Sequence, residues 1–311
     1  MFDTFARRGY LLRLARSRML LVLAGTLVLA VTACSSDNEP IISDEVEFNG
    51  PDFSALVITT DMAVGQSRIL FGVADREGMP VRSDTSTARS YYLVPRQDAR
   101  ELRATVPVRL LGWPTALGGI FEVNLEFDIG GAWELEIDLV APDGEAVTAK
   151  AAFIVKDVSS TPAIGSRPPA IVTLTAADVE DLSHLSSSPE PDPDLYQLSV
   201  HEAMEQDKPL VVVFATPAFC VSATCGPQVA ELAEVKDKYA DRANFIHVEV
   251  FKDPHLIKDG RPSEGVLPEA KEWGLPTEPW TFVLDADGLV SSKFEQFTTA
   301  ETIEAALLEA F

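Results

Sequence analysis

Between residues 121 and 139 the chain alternates apolar and polar side chains almost without a break. Phe121, Val123, Leu125 and Phe127 are interleaved with Glu122, Asn124, Glu126 and Asp128; after Gly130-Gly131 the alternation resumes as Trp133, Leu135, Ile137 and Leu139 against Glu134, Glu136 and Asp138. Successive side chains of a strand point to opposite faces, so this period of two predicts two half-buried strands, and the Gly-Gly between them predicts a hairpin. A turn at Pro142-Asp143-Gly144 precedes a strand ending at Phe153-Ile154-Val155, and stretches from Arg68 to Val73 and from Tyr91 to Val94 add short strands around Glu77-Gly78-Met79-Pro80. Several short strands separated by turns predict an all-β sandwich over residues 51–158. It holds no cysteine and no His, Cys and carboxylate grouping with ligand spacing, so it reads as a spacer or protein-contact module.

The pattern changes after residue 195. Leu210-Val211-Val212-Val213-Phe214-Ala215 is apolar without alternation, the mark of a strand buried on both faces. Around it the sequence predicts a short helix from Ser199 to Gln206, a helix from Gln228 to Tyr239, and strands from Phe245 to Val250, Trp280 to Leu284 and Leu289 to Phe294. A turn at Asp285-Ala286-Asp287-Gly288 and a closing helix from Thr299 to Ala310 complete it. The order is βαβ followed by ββα, an α/β domain over 195–311. Between the two domains, residues 159–194 carry Pro162, Pro168, Pro169, Pro189, Pro191, Pro193 and Ser186-Ser187-Ser188, which predicts a linker, with Ile171, Val172 and Leu174 able to lie along a domain surface.

The N-terminus sets the compartment. Arg7, Arg8, Arg13, Arg16 and Arg18 precede an apolar run from Met19 to Ala30, and small residues lead to Cys34. This is the layout of a secretory signal over residues 1–33, too short in its apolar run for the ~20 residues of a membrane span. Val31-Thr32-Ala33-Cys34 resembles the lipobox of bacterial lipoproteins, which implies cleavage before Cys34, its lipidation, and attachment to the extracytoplasmic face of a membrane. Arg7-Arg8 is also similar, more loosely, to a twin-arginine export signal. Residues 34–50 are polar and acidic and read as a tether. Without the leader the chain keeps 20 basic against 47 acidic residues, a formal charge of −27. That balance excludes nucleic acid as a partner and docking on anionic lipid through a basic patch.

The remaining cysteines, Cys220 and Cys225, fall between the first strand and first helix of the second domain. With Phe214-Ala215-Thr216 before them, Cys225-Gly226-Pro227 opening the helix, Glu278-Pro279 before Trp280-Thr281-Phe282, and the Asp285-Ala286-Asp287-Gly288 hairpin, the domain resembles the thioredoxin family. The first domain is similar to immunoglobulin-like modules of bacterial exported proteins. The thioredoxin resemblance implies thiol-disulfide exchange with exported protein thiols or disulfides, without a cofactor, and a cis peptide at Pro279. The spacing departs from the family: Cys-x4-Cys replaces Cys-x2-Cys. Counting from the end of the strand puts Cys220 at the family's nucleophile, whereas reading Cys225-Gly226-Pro227-Gln228 as the family motif puts Cys225 there, and the two alignments assign opposite roles. A disulfide between them satisfies chain geometry and has two readings, a redox centre and a structural staple.

Accessory positions follow from the same resemblance. The buried carboxylate of thioredoxins would fall at Val213, which carries none. Glu231 is similar in placement to a glutamate of the membrane-tethered thioredoxin-like proteins that serve cytochrome c maturation, which implies a proton relay; its plainer reading is a solvated helix face. Sco-type copper chaperones are also thioredoxin-like and tethered. That resemblance gives an alternative copper site of Cys220 and Cys225 with His247 or His255, thiolate and imidazole suiting copper. A third alternative is a non-catalytic binding or scaffold lipoprotein.

Overall fold

The first half of the chain forms two four-stranded antiparallel sheets whose inner faces share one core. Strands β1 (Phe53–Val57), β2 (Gly65–Asp75), β5 (Arg109–Leu110) and β6 (Ile120–Phe127) make one sheet, ordered β1-β2-β6-β5. Strands β3 (Ser86–Leu93), β4 (Arg100–Pro107), β7 (Gly131–Val140) and β8 (Ala146–Val155) make the other, ordered β4-β3-β7-β8. The computed structural model describes residues 51–114, 119–258, 260 and 265–311. The leader, Cys34 and the tether to residue 50 lie outside them.

The hairpin predicted between residues 121–127 and 133–139 does not form. β6 pairs with β2 and β5, and β7 with β3 and β8, so Gly130-Gly131 carries the chain from one sheet to the other. A hairpin would have set the two apolar rows side by side; in opposite sheets they face each other across the core, where Phe127 meets Trp133 edge-on with ring centroids 4.8 Å apart. Gly131 takes φ +137°, and a side chain at Gly130 would run into the Asp157 carboxylate, so both glycines are required at this crossing. The turn at Pro142-Asp143-Gly144 does close a hairpin, β7 to β8.

The second half is built on a mixed sheet ordered β10-β9-β11-β12, with β9 (Leu210–Ala215), β10 (Asn244–Glu249), β11 (Trp280–Leu284) and β12 (Val290–Glu295). β9 and β10 run parallel; β11 is antiparallel to both its neighbours. Helices α1 (Val200–Met204), α2 (Cys225–Tyr239), α3 (Pro268–Glu272) and α4 (Ala300–Glu309) surround it. β9 is buried at every residue because both of its faces are covered. Val211, Val213 and Ala215 pack with Leu232 and Val235 of α2 and Ile303 and Leu307 of α4, while Val212 and Phe214 pack with Trp273, Trp280 and Phe282. α1 starts with the capping box of Ser199 and Glu202.

Residues 159–194 are drawn into this second half. Ile171 and Leu185 are buried in its two cores, whereas Val172 and Leu174 are 70 % and 62 % exposed. Lys236 of α2 holds Asp192 at 2.7 Å and Asp194 at 3.2 Å, fixing the end of the segment on the helix.

The two halves meet along the end of β12. The Glu295 carboxylate accepts from Thr60 N–H (2.8 Å), Thr60 Oγ1 (2.7 Å) and Asp61 N–H (3.1 Å). Lys293 donates to Ser159 (2.7 Å) and Thr161 (2.9 Å), whose hydroxyls also serve the buried Asp61. Burial pushes the Asp61 carboxyl up, but hydrogen bonds from Ser159, Ser160 N–H, Lys156 and Thr161 hold it well below the usual carboxylate range. Arg68 of β2, paired with Glu122, reaches across to Glu295 C=O (3.1 Å), Phe297 C=O (3.0 Å) and Thr298 Oγ1 (3.3 Å).

Candidate functional site

β9 ends at Ala215, and past the buried Thr216 the loop from Pro217 to Thr224 returns the chain as α2. Cys220 and Cys225 are joined in a disulfide with Cα atoms 5.9 Å apart, inside the range that a disulfide needs. Their environments differ sharply. Cys220 is half-buried in the loop, beside Val221, which is 97 % exposed; Cys225 is the first residue of α2 and is fully buried in the core with Val213, Ala215 and Leu232. Cys220 Sγ lies 3.2 Å from Ser222 Oγ, which in turn shares a 2.7 Å hydrogen bond with Thr224 Oγ1. Thr224 does not cap α2 with its side chain, so the first-turn N–H groups beside Cys225 have no side-chain partner there, and the helix dipole favours negative charge at that sulfur. The helix begins at Cys225, three residues before the predicted start, because Gly226-Pro227 fits a first turn that needs no N–H from the proline.

Glu231 and Gln228, one turn further along α2, are engaged with the segment after β12. The Glu231 carboxylate accepts from Ala300 N–H at the start of α4. Gln228, fully buried, pairs with the backbone of Thr298. Glu278-Pro279 is a cis peptide, and Pro279 C=O accepts from Gln296 N–H at 2.8 Å, which ties the Pro279 loop to the same segment. Trp273 and Trp280 are buried, their indole N–H groups donating to Pro169 C=O (3.1 Å) and Thr277 Oγ1 (3.2 Å).

The two candidate histidines stand apart. His247 is buried in β10 with both ring nitrogens used. Ala215 C=O can only accept, so Nε2 carries the proton and donates to it (3.1 Å), leaving Nδ1 to accept from Tyr196 O–H (2.7 Å). Burial pushes its pKa down to about 4, so the ring is neutral. His255 instead stacks on His184, ring centroids 3.9 Å apart. Among the described residues no group of three or more His, Cys, Asp and Glu could hold a metal ion, and no helix is long and apolar enough to cross a membrane.

Sequence reasoning missed Glu249, buried at the end of β10. Its carboxylate accepts from Ser187 N–H (2.8 Å) and Val250 N–H (3.0 Å), and burial pushes its pKa up. Ser187 Oγ then accepts from Ala218 N–H at 3.1 Å, which steadies the loop leading to Cys220. The signal was a charged residue closing an apolar strand, where the ends of parallel strands gather functional groups; the alternation from Phe245 to Val250 concealed it.

No family model matches the chain, and no curated protein matches it. Solved structures that resemble parts of it include the following three. A thioredoxin-family thiol:disulfide interchange protein from Chlorobium tepidum is 17 % identical over 48 % of this chain and 97 % of its own, with a TM-score of 0.32. The PmoD soluble domain from a Methylocystis species is 17 % identical over 34 % of this chain and 93 % of its own, with a TM-score of 0.23. CopC from Methylosinus trichosporium is 10 % identical over 33 % of this chain and 93 % of its own, also with a TM-score of 0.23.

Proposed function

We propose that this chain is a lipid-anchored thioredoxin-like protein of the bacterial cell envelope that exchanges electrons with exported protein thiols or disulfides through Cys220 and Cys225. In this reading an immunoglobulin-like first domain precedes the thioredoxin-like one, and Cys34 holds both to the membrane. The observation that carries it is the inequality of the two sulfurs: Cys220 is only half-buried in the loop, beside the exposed Val221, while Cys225 is fully buried at a helix N-terminus. Exchange needs one sulfur that a partner can reach and a second that leaves and returns without leaving the protein. Cys220 is therefore the sulfur that forms the mixed disulfide, and Cys225 the one that resolves it. This supports the alignment counted from the end of β9 over the one read from Cys225-Gly226-Pro227-Gln228.

The test is the reduction potential of the pair, by mass spectrometry of alkylated Cys220 and Cys225 peptides across a glutathione series. A midpoint above about −250 mV belongs to a working oxidoreductase; a bond still closed below about −300 mV is a structural staple, and the chain is then a scaffold.

A further inference from the structure

Side chains paired across a ladder point to the same face of a sheet. One such row runs His247, Val213, Thr281, Phe294 across the second sheet. Val213 packs in the cluster that holds Cys225, Ala215 and Val283, so Thr281 faces the same covered side as the disulfide helix. It is 0 % exposed. Among the described residues no group hydrogen-bonds its Oγ1. A buried hydroxyl left unpaired costs stability, and valine, which has the same shape, stands opposite it at 213 and two residues on at 283. The polar atom therefore has no account in the closed disulfide.

We propose that the Thr281 hydroxyl serves the buried sulfur of Cys225 when the pair opens, an inference that rests on the exchange reading above. A partner thiolate attacks Cys220 Sγ and forms a mixed disulfide; the Cys220–Cys225 bond breaks and its electron pair stays on Cys225 Sγ. That charge appears inside the core, where burial disfavours it. Thr281 Oγ1 donates a hydrogen bond to it, favouring departure of the thiolate and, in the reverse direction, keeping Cys225 deprotonated for attack. A second thiolate of the partner then attacks the partner's own sulfur in the mixed disulfide. Cys220 is released, the partner dithiol is oxidised to a disulfide, and the two protons lost by the partner end on Cys220 and Cys225.

The experiment uses the full chain with Cys34→Ser, which leaves the pair as its only thiols. The reduced protein is mixed with an aromatic disulfide that releases a coloured thiolate. The first release reports attack by Cys220, the second reports Cys225 attacking the resulting mixed disulfide. Thr281→Val and Thr281→Ala should slow the second release about tenfold and raise its pH midpoint by about one unit, while Thr281→Ser stays within about twofold and the first release is unchanged in all three. A second release that is as fast in Thr281→Val as in the parent overturns the inference. A parent chain that gives no first release overturns the exchange reading itself, and the inference falls with it.

Discussion

Gln228 and Thr298 are paired at both ends of the glutamine amide: Oε1 accepts from Thr298 N–H at 2.7 Å, and Nε2 donates to Thr298 C=O at 3.2 Å. The same short segment takes Arg68 on Glu295, Phe297 and Thr298, Glu231 on Ala300, and Pro279 C=O on Gln296. The helix that starts at Cys225, the cis-Pro279 loop and the first half of the chain are thus all fastened to residues 295–300. Of the two α2 side chains in this set, Gln228 is the nearer to Cys225 along the helix. Gln228→Ala leaves two interior backbone groups unpaired, and should lower the unfolding free energy of the oxidised chain by about 2–4 kcal/mol. Urea denaturation measures it, and a loss below about 1 kcal/mol would mean that Thr298 finds other partners.

Arg68 should be the costliest single truncation where the halves meet. Its guanidinium neutralises Glu122, whose side chain is 8 % exposed, and the remaining N–H groups serve the 295–298 segment. Burial alone would push the Glu122 carboxyl up; Arg68, then Arg109, bring it below its ordinary range. Arg68→Met should cost about 3 kcal/mol, toward the lower end for a broken buried pair because Arg109 still reaches Glu122 at 2.9 Å. Adding Glu122→Gln to Arg68→Met removes the stranded charge and should recover part of that loss. If the double variant is less stable than Arg68→Met alone, the cost lies in the lost bonds to 295–298 and not in the carboxylate.

Acid should weaken the fold through His247. The imidazole titrates near 6.5 when unfolded and near 4 when buried against Ala215 C=O and Tyr196, so between these values the unfolded chain binds a proton that the folded chain refuses. Stability from this group is complete above pH 6.5, falls as the pH drops, and stops falling near pH 4. The full loss is about 3 kcal/mol. Glu249, whose pKa burial raises, acts in the opposite sense over part of this window, so the comparison is between parent and His247→Gln. The variant should be less stable at pH 7.5 and show a flatter decline toward pH 4.5; parallel pH profiles would remove His247 as the cause.

The second half was legible because its elements carry strong local signals. The unbroken apolar run of β9 and the Asp285–Gly288 turn each fix an element within its own few residues. The crossing at Gly130-Gly131 was not legible, because an alternating pair of strands has the same sequence whether it lies in one sheet or faces itself across a core; only the partners, β2 and β3, decide. The same limit hid Glu249 and Thr281. Each sits in a stretch whose pattern is that of an ordinary strand, and what singles them out is a lack of solvent and, for the Thr281 hydroxyl, of a hydrogen-bond partner among the described residues. Cys220 and Cys225 were legible as a pair, but the division of labour between them depends on burial, which spacing does not encode.

That division makes the last prediction. Once the disulfide is reduced, iodoacetamide meets Cys220 half-buried in the loop and Cys225 fully buried under the first turn of α2. The helix N-terminus favours a thiolate at Cys225, while its apolar surroundings oppose one and block the reagent, and for a fully buried sulfur access decides. In the native reduced chain Cys220 should therefore be alkylated at least about tenfold faster than Cys225, a difference that vanishes in urea. Peptide mass spectrometry at short times reads both sites in one sample. Equal rates in the folded protein would place both sulfurs within a partner's reach and remove the reason for assigning the mixed disulfide to Cys220; a faster Cys225 would restore the Cys225-Gly226-Pro227-Gln228 alignment, with Cys220 as the resolving thiol.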